Sequence, residues 1–114
     1  MLPINYRESY ETSLDLLMAL AEAIDRNDTE TRERRFRELQ DFLKRQVLSL
    51  TDDNLPPEDM TRWRRVQTEL TRSSRLLETE WLFLSSAKGS GDRRLATIRG
   101  RIDALIGYCR MMLE

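Results

Sequence analysis

Apolar residues recur at Leu95, Ile98, Ile102, Leu105, Cys109 and Met112 in steps of three and four. That spacing lines one face of an α-helix that packs in heptads. Three upstream segments have the same periodicity, and none of the intervening stretches alternates like a strand. The pattern predicts an all-α, antiparallel four-helix bundle with helices over about 4–26, 29–50, 57–87 and 92–113, forming a single domain over 1–114. Helix one carries Tyr10, Leu14, Leu17, Ala21 and Ile24, widened by Leu16, Met18 and Leu20. Helix two carries Phe36, Leu39, Leu43, Val47 and Leu50, with Phe42 beside them. Helix three carries Trp63, Val66, Leu70, Ser74, Leu77, Trp81 and Leu84.

The joints have their own chemistry. Pro3 suits a first turn, where its missing N–H is not needed. Asn27-Asp28 ends helix one, and either Asp28 or Thr29 can cap helix two. Helix two gains exposed pairs Glu30–Arg34, Glu33–Arg37 and Asp41–Arg45, each worth about 0.2–0.5 kcal/mol. Pro56 and Pro57 break the chain after Asp52-Asp53-Asn54-Leu55, and Glu58 and Asp59 suit the positive end of helix three. Lys88-Gly89-Ser90-Gly91 reads as a short flexible turn. These short joints favour antiparallel neighbours.

Charge narrows the function classes. The formal net charge is −1, so no strongly basic footprint suggests nucleic-acid binding. All but Lys44 and Lys88 of the 19 cationic residues are arginine, the cation best suited to bidentate contacts at interfaces. Arg62, Arg64 and Arg65 flank Trp63, and Arg32, Arg34, Arg35 and Arg37 flank Phe36. Both aromatics sit on core stripes, which favours a solvated charged face over a single-strand binding platform.

Catalytic groups are sparse. There is no histidine, hence no metal ligand or general base of the commonest kind. Cys109 lies on the core stripe as a small apolar residue. Gly89-Ser90-Gly91 lacks the remainder of a phosphate loop. The inward stripes offer no polar pocket, and neither a cofactor nor a metal is expected. No run of residues approaches the ~20 apolar positions that span a bilayer, and the start lacks a leader pattern. One cysteine fits a reducing compartment, so the expected location is the cytoplasm.

Two features exceed what an isolated bundle needs. Trp81-Leu-Phe-Leu84 wraps apolar side chains around the helix, leaving Leu82 and Phe83 off the main stripe. Helix one could cover them, or a partner could. Ala96, Gly100, Ala104, Gly107 and Met111 form a ridge behind the helix-four stripe. Glycine costs about 0.8–1.0 kcal/mol against alanine in a helix, so a close backbone neighbour is expected there. That neighbour is either another helix of the same chain or a second copy. A third candidate contact is the arginine set Arg62, Arg64, Arg65, Arg72 and Arg75 on helix three.

The second half also resembles a known family. The matching segments are Val66-Gln-Thr-Glu-Leu70, Arg75-Leu-Leu-Glu-Thr-Glu-Trp-Leu-Phe83, Arg94-Leu-Ala-Thr-Ile98 and Arg101-Ile-Asp-Ala-Leu-Ile-Gly-Tyr-Cys-Arg-Met-Met-Leu113, with the Asp52-Asp53-Asn54-Leu55 joint. Together they are similar to the PatD family, cyanobacterial heterocyst frequency control proteins. Helices one and two match in pattern and placement. The resemblance implies a cytoplasmic, non-enzymatic regulator that binds the tubulin-like division protein FtsZ, modulates its filament assembly, and limits heterocyst frequency where heterocysts form. It transfers no binding residues.

Two other readings remain. One is a helical dimerisation or adaptor module for another protein. The other is a small all-helical mutase-type enzyme, because Arg99-Gly-Arg-Ile-Asp103 with Leu105 resembles the opening of the helical chorismate mutases. In that family the segment comes first in the chain, and its site needs cations and amides facing into the bundle.

Overall fold

The computed structural model describes residues 2–86 and 91–114. Its helices are α1 (Ile4–Asp25), α2 (Thr29–Phe42), α3 (Pro57–Ser86) and α4 (Gly91–Leu113), and a π-turn over Leu43–Val47 extends α2. The expected four-helix, all-α architecture is what forms, and no strand occurs among the described residues. The predicted turn at Lys88-Gly89-Ser90 and the predicted end of helix three at Ala87 lie outside the described residues, and Gly91 already opens α4.

Antiparallel packing follows from which ends meet. At one end, Tyr6 of α1 reaches Thr51 beyond α2, and Arg62 of α3 reaches Met111 of α4. Near the other end, Arg99 of α4 pairs with Asp25 of α1, Arg94 with Glu80, and Trp81 with Glu33. Four rods of this length make an elongated body of 49 × 21 × 19 Å.

The termini explain the boundaries. Asn27 adopts a left-handed φ of 56°. Its N–H bonds Ile24 O at 3.0 Å, and the Asp28 N–H bonds Ala23 O at 3.1 Å. This double closure satisfies the orphan carbonyls of α1 and stops it. Asp28, not Thr29, is the cap of α2: its carboxylate accepts from the Thr31 N–H at 3.1 Å and the Thr31 hydroxyl at 2.7 Å. Helix two was expected to run to Leu50 but ends in the π-turn, where the Leu48 N–H reaches back to Leu43 O at 2.8 Å. The wider turn releases the chain early and leaves Leu50 half-buried.

Packing obeys the stripes with local exceptions. Leu17, Leu20, Leu39, Val47, Leu70, Ile98, Ile102 and Cys109 are completely buried. On α3 the buried serine is Ser73, and Ser74 is only half-buried. Of the expected α2 pairs, Asp41–Arg45 forms, while Arg35 takes Glu38 and Glu33 accepts from the Trp81 indole. The Phe36 and Trp81 rings stack 4.1 Å apart and nearly parallel. Aromatic pairs of this kind add about 0.5–1.5 kcal/mol beyond their buried area.

Candidate functional site

The core is less oily than its stripes imply. Gln67 projects inward from α3 and is buried. Its Nε2 donates to Val47 O at 2.8 Å, and its Oε1 accepts from the Tyr10 hydroxyl at 2.8 Å. The Tyr10 oxygen in turn accepts from Trp63 Nε1 at 2.9 Å. This directional relay links α1, α3 and the end of α2, with each buried polar group matched. Val47 O at the end of the π-turn accepts from the Leu50 N–H as well, at 3.1 Å. Beside the apolar stripes the interior therefore holds a polar residue, Gln67, that the stripes did not include. Gln67 was legible only as a polar residue next to Val66, because its inward direction depends on where Val47 and Tyr10 lie.

Just outside this relay, a groove of about 590 Å³ opens between α3 and the chain that leaves α2. Leu48 and Leu50 line one wall, and Trp63 and Gln67 lie at its base. Arg64, Arg72 and Arg75 stand along the α3 rim. Arg64 pairs with Asp52, and Arg72 pairs with Glu69 at 2.9 Å. Among the described residues, Arg75 makes no ion pair.

The five candidate arginines do not share one surface. Three rim the groove, and Arg65 is exposed on the outer face of α3. Arg62 turns the other way: its guanidinium donates to Met111 O at 2.7 Å and to Glu114 at 3.1 Å. It closes the C-terminal end of α4, where a cation opposes the negative helix dipole. It lies on a different side of α3 from the groove-rimming arginines, with its guanidinium engaged at the end of α4.

Leu82 and Phe83 are 66% and 53% exposed, so α1 does not cover them. The Arg94 guanidinium lies 5.3 Å from the Phe83 ring centre, a cation–π contact on its edge of the surface. The ridge on α4 is open in part, since Met111 at its end packs against the core. Ala96, Gly100 and Gly107 are exposed and Ala104 is half-buried. A methyl group placed on Gly100 or Gly107 would meet nothing within 4 Å. Of the two neighbours expected for these glycines, a helix of the same chain does not approach them among the described residues.

The remaining reactive groups are muted. Burial pushes the Cys109 thiol from 9.0 up to about 12. Burial also raises the Tyr10 phenol well above its ordinary 10.0, while the Trp63 hydrogen bond pulls the other way. Among the described residues, no group of three or more Cys, Asp or Glu is placed to hold a metal ion. No helix among them is long and apolar enough to cross a membrane.

No protein-family model, no curated protein and no solved structure matches this chain.

Proposed function

We propose that this chain is a non-enzymatic protein-binding regulator that contacts FtsZ and modulates its filament assembly, limiting heterocyst frequency where heterocysts form. The residue-level resemblance of its second half supports the choice of partner. The observation that carries a docking role is on α3. Arg65, Arg72 and Phe83 are all exposed and recur in steps of seven and eleven along one outward line of this helix. At 1.5 Å per residue the line is about 27 Å long. Beside it lie Arg75 and exposed Leu82. Cations leading to an apolar end suit an acidic protein surface: charge steers the encounter, and desolvated apolar contact holds it.

Co-sedimentation with FtsZ filaments across a salt series tests the reading. The chain should pellet at low salt, pellet less as salt rises, and stay in solution when Arg65, Arg72 and Arg75 are all changed to Glu. No pelleting of the wild type at low salt refutes it. A second reading, a dimerisation or adaptor module, draws on the open Gly100–Gly107 face. Changing both glycines to Leu should then alter the mass in solution or the set of bound partners.

A further inference from the structure

We propose that the groove between α3 and the end of α2 seats a short, extended, acidic segment of a partner protein, with its carboxylates on Arg64, Arg72 and Arg75 and an apolar side chain against Leu48 and Leu50. The inference rests on reading the chain as a protein-binding module and does not depend on the partner being FtsZ.

Size points to a peptide. The groove's 590 Å³ falls within the range of sites that enclose small ligands, so it admits a few residues and not a folded domain. Arg64 to Arg75 covers about 16 Å of helix at 1.5 Å per residue. An extended chain at about 3.3 Å per residue crosses that distance in roughly five residues.

Charge points to carboxylates. Three guanidinium groups line the groove against one carboxylate, that of Asp52. Arg75 has no ionic partner among the described residues. The Arg64–Asp52 and Arg72–Glu69 pairs are solvent-facing at their arginine ends, with side chains 59% and 70% exposed. Such pairs are weak and exchange readily for a bidentate carboxylate held out of water.

The walls are also rigid. Gln67 is fixed at both ends of its amide by Val47 O and Tyr10, so the base of the groove is built before any ligand arrives. Preorganisation lowers the ordering cost of binding. Thr68 and Thr71 on the α3 wall already spend their hydroxyl hydrogens on backbone carbonyls within the helix. The polar specificity of the rim therefore falls to the arginines.

The experiment is selection of a displayed random peptide library on the full chain, followed by titration of the best peptide into ¹⁵N-labelled protein. The selected sequences should be acidic with an interspersed apolar residue, and shifts should centre on Thr51, Thr68 and Thr71. Arg72→Glu with Arg75→Glu should weaken binding about tenfold, and Arg37→Glu on the exposed face of α2 should leave it unchanged. No enrichment, enrichment of basic or uncharged peptides, or shifts centred on α4 would overturn the proposal. Acidic peptides that bind the groove while FtsZ fails to pellet the chain would sink only the choice of partner. FtsZ pelleting without acidic-peptide selection would sink only the groove.

Discussion

The Tyr10 hydroxyl donates to Gln67 Oε1 at 2.8 Å across 57 residues of sequence. Because the Tyr10 oxygen also accepts from Trp63 Nε1, deleting it strands two buried groups at once. Tyr10→Phe should therefore destabilise the fold by about 1–3 kcal/mol, although it removes a single atom. Gln67→Leu should cost a similar amount by leaving the buried Tyr10 hydroxyl without its acceptor, while Val47 O keeps the Leu50 N–H. The double variant should cost less than the sum, because the two residues share a bond. Urea unfolding of the three variants provides the cycle, and strict additivity would show that the relay does not act as a unit.

Alkaline pH should weaken the protein. Cys109 keeps its proton up to about 12 in the folded chain but loses it near 9.0 when unfolded. Between those values the unfolded chain binds fewer protons than the native one, so stability falls as pH rises. Tyr10 adds to the fall above its ordinary 10.0. Each group contributes a slope of at most about 1.4 kcal/mol per pH unit. Urea midpoints measured between pH 8 and 11 should decline, and Cys109→Ala should flatten the decline. The same burial predicts that a thiol reagent labels Cys109 only on unfolding.

Gly100→Ala and Gly107→Ala should each stabilise the isolated chain by about 0.8–1.0 kcal/mol, since the added methyl groups meet open space in a helix interior. Thermal unfolding at low protein concentration measures this. Loss of stability would mean that another backbone packs on the ridge in solution, and sizing at rising concentration would identify a second copy.

Leu82→Ser and Phe83→Ser should leave stability within about 0.5 kcal/mol, because both side chains are exposed. Pelleting with FtsZ should drop if the apolar end of α3 is part of the contact. Normal pelleting by the double variant would confine the contact to the arginines.

Phe36→Ala should be among the most damaging single changes, at about 3–5 kcal/mol. It removes the ring stacked on Trp81 and leaves a cavity between α2 and α3. A lower urea midpoint, together with altered tryptophan fluorescence, would register both effects.

Heptad spacing alone determined that Leu17, Leu39, Leu70 and Ile102 would be buried and that four rods would pack. A 3.6-residue period turns one apolar stripe per helix toward a common centre whatever the neighbours are. Breaks at Asn27 and Pro56-Pro57 were equally legible, because turn chemistry acts within a few residues. Tertiary structure alone decided the rest. Gln67 points inward because Val47 O and Tyr10 await it there, and Arg62 is spent on the end of α4 while Arg64, two residues on in the same helix turn, rims a groove. The π-turn at Leu43–Val47, the exposure of Leu82 and Phe83, and the space over Gly100 among the described residues also depend on how far neighbouring rods stand apart. A periodic pattern states which face turns inward. It does not state how closely the next helix approaches or which polar group meets another across the chain, because those distances come from all four helices packing at once.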